Sequence, residues 1–129
     1  MRHAILALCL LAASLMVARP ASASTIDFES FNDGDVLSNQ IAGVTFTDLA
    51  ILTSGSSLNE FEFPPTSGVN VATGTAASSS IAFSTALASF GGYFTYLGGL
   101  TIDFYDGATL LGSVSSAFVD NFVSSGNAP

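Results

Sequence analysis

Apolar positions dominate the start of the chain, with Ala4 to Val17 interrupted only by Ser14; from Thr25 onward apolar and polar side chains take turns instead. Alternation with a period of two is the pattern of a half-buried strand. It places Ile26 and Phe28 on one face of a strand over residues 25–31, with Asp27 and Glu29 on the other. Asn32-Asp33-Gly34-Asp35 then reads as a turn. Val44 and Phe46 alternate with Thr45 and Thr47, Val69 to Ala72 forms a short strand, and Ile81 and Phe83 mark another. Ser54 to Asn59 is a loop, and Pro64-Pro65 stiffens an extended connection because each proline removes a ladder donor.

The clearest unit lies between Ser89 and Val114. Leu100, Ile102 and Phe104 alternate with Thr101, Asp103 and Tyr105, and Asp106-Gly107 follows as a hairpin turn dipeptide. Leu110 to Val114 supplies the return strand, a strand within Ser89–Tyr96 lies beside the hairpin, and 118–123 forms one more. No helix-period stretch occurs after the first segment. Several short strands separated by turn signals predict an all-β fold, an antiparallel β-sandwich of jelly-roll type. Its expected core is Ile26, Phe28, Val44, Phe46, Ile81, Phe83, Phe90, Phe94, Leu100, Ile102, Phe104, Leu111 and Val114.

The first segment reads differently. Arg2 and His3 precede the apolar run, and Arg19-Pro20 and the small triplet Ala21-Ser22-Ala23 follow it. This is the order of a secretory signal peptide with cleavage after Ala23. The run falls short of the roughly 20 apolar residues of a membrane span. Residues 1–23 are therefore expected to be a cleaved signal helix and residues 24–129 a single domain, with no membrane span after cleavage and a secreted or cell-surface location. The last residues, Ser124-Ser125-Gly126-Asn127-Ala128-Pro129, have a loop's composition and predict that the domain is truncated before its closing strand.

Removing the leader changes the chemistry available. Arg2, His3, Cys9 and Arg19 are the only basic or thiol side chains in the sequence, and all lie before residue 24. Ten acids remain, so the side-chain charge goes from 2 − 10 = −8 to 0 − 10 = −10. A domain without Lys or Arg has nothing to neutralise phosphates with, which argues against nucleic acid as a partner. It also lacks every Ser–His, Cys–His and His-ligated zinc arrangement. Carboxylates, hydroxyls, amides and phenols are left. Those groups suit calcium, sugar hydroxyls or a carboxylate-pair hydrolysis.

Three groups are candidates. Tyr93, Thr101, Asp103 and Tyr105 would line one strand face, where tyrosine rings stack on sugars and Asp103 accepts their hydroxyls; the same residue types are also favoured on any half-exposed strand. Glu29, Asp33 and Asp35 supply hard oxygens close together, as a calcium ion needs, although acids are equally at home in a solvated turn. Glu60 and Glu62 would share one side of an extended segment with Phe61 opposite, a weak case for a hydrolytic pair.

Ile26-Asp27-Phe28-Glu29, Gly43-Val44-Thr45-Phe46, Phe63-Pro64-Pro65-Thr66-Ser67-Gly68-Val69-Asn70-Val71, Gly91-Gly92-Tyr93-Phe94-Thr95 and Leu100-Thr101-Ile102-Asp103-Phe104-Tyr105-Asp106-Gly107 stand in one order from about Thr25 to Val119. In this the chain resembles secreted bacterial β-sandwich proteins of the PEP-CTERM-associated type. The resemblance implies a jelly roll like that of galactose-binding and carbohydrate-binding modules, and export to the envelope or extracellular matrix. Two departures limit it: there is no Pro-Glu-Pro motif with an apolar helix and basic end, and Asp120-Asn121 does not replace the paired acids of a closing strand. Pattern and resemblance together predict a non-catalytic exported protein, structural or interacting with surface proteins or extracellular polysaccharide. The alternative is a carbohydrate-binding module supported by calcium.

Overall fold

The computed structural model describes residues 23–127. The leader expected over 1–23 lies, but for Ala23, outside the described residues. The described chain is nearly all β: β1 Val36–Leu37, β2 Val44–Thr47, β3 Leu49–Thr53, β4 Asn70–Gly74, β5 Ser80–Phe83, β6 Thr101–Asp106 and β7 Thr109–Ser115, followed by a single 3-10 turn at Val123–Ser125. All strand pairs are antiparallel. They form three sheets, β1-β3-β4, β2-β5 and β6-β7.

The first two sheets share one core. Leu37, Leu49 and Ile51 come from β1 and β3, and Phe46 comes from β2; Ile26, Phe28, Phe31, Ile41, Val44, Ala72 and Ile81 pack around them. The alternation missed the short β1 and the central strand β3. Leu49-Ala50-Ile51-Leu52 is a continuous apolar run; Leu49 and Ile51 are buried, and the half-buried face opposite carries Ala50 and Leu52, so no polar alternation marks the strand. Ile51 is completely buried.

The strand expected over residues 25–31 does not form. Phe28 adopts φ +61°, a backbone state that turns the chain aside. Its ring still reaches the core, 6.1 Å from that of Phe46. Ile26 packs there too, so the two apolar residues were assigned to the right interior but to the wrong backbone. Residues 60–62 also turn, with the N–H groups of Glu62 and Phe63 both donating to the Asn59 carbonyl, and Phe61 is exposed.

The expected β6–β7 hairpin forms with a two-residue loop, Gly107-Ala108, closed by Asp106 opposite Thr109. Gly107 takes φ +56°, which a side chain would resist. The register slips once. Phe104 faces Gly112 and Tyr105 faces Leu110, so Leu111 is an extra residue, a β-bulge.

The strands expected within Ser89–Tyr96 and over 118–123 are irregular segments instead. They run beside each other beyond the open end of the hairpin. The Gly99 N–H donates to the Val119 carbonyl, and Asn121 N–H donates to Tyr96 O at 3.2 Å. Four residues expected in the core, Phe90, Phe94, Leu111 and Val114, are exposed. The hairpin has only two strands, and every residue of β7 is open to solvent. Phe90 links it to the rest of the molecule, its ring 6.0 Å from Phe83 of β5 and 6.5 Å from Phe104 of β6.

Candidate functional site

The hairpin presents the polar row that the alternation predicts. Thr101, Asp103 and Tyr105 are exposed on β6, while Ile102 and Phe104 on the opposite face are half-buried. The row is doubled by β7. Thr101 faces Ser115 and Asp103 faces Ser113. The Thr101 and Ser115 hydroxyls are 3.1 Å apart, and Ser113 Oγ donates to Asp103 Oδ1 at 2.5 Å. These are close pairs because the main-chain bonds fall on the alternate residues, as the Ser116 N–H to Leu100 O bond shows; in antiparallel sheets the pairs without such bonds bring their side chains nearest. Tyr105 stands at the bulge with 57% of its surface exposed. Tyr93 is more exposed still, at 78%, but lies in the irregular segment and not on a neighbouring strand. The expected site is thus a strip of hydroxyls around one carboxylate, with a phenol ring at one end. It lies on the exposed face of the hairpin.

The acids at the start of the domain have other work. Glu29 turns its carboxylate onto the chain before β4, accepting from Val69 N–H (3.1 Å) and Asn70 N–H (3.0 Å). Asn70, a buried polar residue, continues that link by donating to Phe28 O (3.0 Å) and Phe31 O (2.9 Å) and accepting from Thr53 Oγ1 (2.5 Å). Asp33 sits over the loop after β3, where its carboxylate accepts from Thr53 N–H (2.9 Å), Ser56 Oγ (2.9 Å) and Ser57 Oγ. The two serine hydroxyls, Ser57 first, hold the Asp33 carboxyl below the ordinary carboxylate value. Asp35 closes its own turn by accepting from Asn32 N–H at 2.8 Å. Glu29, Asp33 and Asp35 each bind a different stretch of chain. Among the described residues no three His, Cys, Asp or Glu side chains come together to hold a metal ion.

Glu62 and Asp120 follow the same habit. Glu62 Oε2 accepts from Ser124 N–H (2.9 Å), and the Glu62 carbonyl accepts from Val123 N–H (3.0 Å), tying the chain's last described turn to the middle of the sequence. Phe63 and Phe122 pack beside this tie, with ring centres 6.0 Å apart. Asp120 accepts from Gly98 N–H (2.9 Å). Comparisons with protein-family models, curated proteins and solved structures found no match. The residues themselves therefore carry the functional reading.

Sequence reasoning missed the two buried asparagines. Asn121 does for the hairpin's base what Asn70 does for β4: its side chain accepts from Tyr96 N–H (2.8 Å) and donates to Phe94 O (2.7 Å). Nothing in a linear pattern separates a buried asparagine of this kind from a turn asparagine. One concavity, about 430 Å³, lies along Ile41–Thr45 and Ala82–Ser84, and another, about 240 Å³, is bounded by Phe94, Tyr96, Leu100, Ile102 and Val114. Neither contains an acid.

Proposed function

We propose that this chain is a non-catalytic exported β-sandwich protein of jelly-roll type, acting at the cell surface or in the extracellular matrix as a structural or interacting component. The observation that carries the reading is the fate of its acids. In a domain whose only strongly chemical side chains are carboxylates, Asp27, Glu29, Asp33, Asp35, Glu62, Asp103 and Asp120 accept hydrogen bonds from the chain's own donors. A hydrolytic pair needs one free carboxylate and one carboxyl poised about a substrate. Here seven of the ten acids bind backbone, amide or hydroxyl groups, and the two concavities described are lined by other residue types. The leader pattern and the absence of basic residues from the rest of the chain fit a soluble polyanion outside the cell.

The alternative is binding of extracellular polysaccharide on the Thr101–Asp103–Tyr105 strip, with its Ser113 and Ser115 partners. A flat row of hydroxyls ending in an exposed ring is the surface such a ligand would use. Calcium support is the weaker part of this alternative, because an ion at Asp33 would have to displace three donors.

The test is to express the full chain in an exporting host, locate the processed product, and assay it on a glycan panel. The proposal expects a product starting near Ser24, found outside the cell, without turnover. Glycan hydrolysis lost in Glu60→Gln would overturn it. Saturable binding lost in Tyr105→Ala with Asp103→Ala would select the polysaccharide alternative.

A further inference from the structure

We propose that Asp106-Gly107, at the tip of the β6–β7 hairpin, is a site of spontaneous covalent modification, where the aspartate converts through a cyclic imide to isoaspartate, while the chain's other Asp-Gly pair, Asp33-Gly34, is held against the same change. The Gly107 nitrogen attacks Cγ of Asp106. Its proton and the carboxyl hydroxyl leave as one water, and a succinimide ring closes between side chain and main chain. Addition of one water then breaks either C–N bond of the imide. Breaking the bond to Cγ restores aspartate. Breaking the bond to the main-chain carbonyl carbon leaves the chain running through Cβ and Cγ, with the former main-chain carbonyl as the free carboxylate. Water is the only co-reactant.

The reaction needs a nitrogen that is unhindered and unbonded, and a carboxyl free to turn onto it. Of the aspartates only Asp33 and Asp106 precede glycine, whose missing side chain leaves the nitrogen open to approach. The two pairs differ in what holds them. The Gly34 N–H donates to the Ile51 carbonyl of the central strand at 2.9 Å, and the Asp33 carboxylate accepts from Thr53 N–H, Ser56 Oγ and Ser57 Oγ. Freeing both groups there means opening the core sheet, which costs a large part of the global stability. At the hairpin tip neither group is held. Among the described residues no hydrogen bond engages the Gly107 N–H or the Asp106 carboxylate, and residues 106–108 are all exposed. The tip belongs to a sheet of two strands with β7 open to solvent, so it opens locally at little cost. The consequence reaches the polar strip. Isoaspartate adds one carbon to the main chain where Asp106 faces Thr109, next to the bulge that sets Tyr105 opposite Leu110. The last rung of the ladder is lost, and Tyr105 loses its fixed place at the end of the strip.

The test is to age the folded full chain at neutral pH, with and without denaturant, and digest it with an endoprotease that cuts before aspartate and is blocked by isoaspartate, the fragments being read by mass spectrometry. In the folded chain, cutting before Asp106 is expected to fade at least about tenfold faster than cutting before Asp33, with the two sites nearly equal in denaturant. The uncut fragments keep the mass of the unmodified sequence, because one water leaves and one returns. Ageing is also expected to lower amide protection across β6 and β7 in the wild type but not in Asp106→Glu, whose longer side chain closes the imide far more slowly. Equal fading of the two cuts in the folded chain, a cut before Asp106 that persists as long as that before Asp33, the same bias in denaturant, or protection that falls equally in Asp106→Glu would overturn the proposal.

Discussion

Asn121 and Tyr96 are joined twice: the Tyr96 N–H donates to the Asn121 side-chain oxygen at 2.8 Å, and the Asn121 N–H donates to the Tyr96 carbonyl at 3.2 Å. The Asn121 amide then reaches Phe94 O. One buried side chain therefore holds two irregular segments together at the base of the hairpin, where strand pairing has ended. Asn121→Ala leaves the part-buried Tyr96 N–H and Phe94 carbonyl without this partner, which costs about 1–2 kcal/mol. The expected result is a lower Tm, with faster amide exchange at Tyr96 and Asn121 and unchanged protection in β3. Uniform loss of protection through both regions would contradict a local role.

Glu29 and Gly68 form a second dependence. Gly68 has φ +59°, and a Cβ built there would collide with the Glu29 carboxylate. Gly68→Ala is expected to destabilise by about 1–3 kcal/mol through backbone strain and displacement of that carboxylate. In a Glu29→Ala background the same change should cost less, because one of its two causes is gone. Equal costs in both backgrounds, measured by denaturant melts, would separate Glu29 from the fold of this loop.

Asp33 gives a pH signature. Its carboxyl is held below the ordinary value of 3.8 by Ser57, Ser56 and Thr53. A depressed folded-state value means that the unfolded chain binds the proton more readily. The contribution is therefore present above about pH 4 and fades as pH falls through the lowered value. Asp33→Asn should lower the Tm at neutral pH, and the gap from wild type should narrow below pH 4. A gap that stays constant down to acid pH would remove Asp33 from the acid sensitivity of the fold.

How much of this was legible in the sequence depended on whether a strand has two faces. Val44–Thr47, Ser80–Phe83 and Thr101–Asp106 alternate because one side meets apolar neighbours, and these strands were read almost to the residue. Leu49–Thr53 carries apolar Ala50 and Leu52 on its half-buried face and gave no alternation, so the central strand and the core residues Leu37, Leu49, Ile51 and Leu58 were missed. Phe90, Phe94, Leu111 and Val114 were placed inside on residue type alone, but among the described residues the hairpin pairs with no third strand and these four side chains stay exposed. The polar strip on β6 was legible by period. Tyr93 was added to it through a neighbouring strand that does not form. The spacing of Glu29, Asp33 and Asp35 suggested a shared ion, while their donors come from residues 20 to 41 positions away or from their own turn, which spacing does not reveal.

The central claim is that these carboxylates serve the fold and not a metal or a reaction. The most direct measurement is a thermal melt of the processed product of the full chain, first with chelator and then with millimolar calcium. Because a bound ion stabilises by RT ln(1 + [L]/Kd), saturation at a hundredfold over Kd would contribute about 2.7 kcal/mol and raise the Tm by several degrees. The account predicts one cooperative transition at the same temperature in both conditions. A Tm that rises with calcium, and a rise abolished by Asp33→Asn, would contradict it.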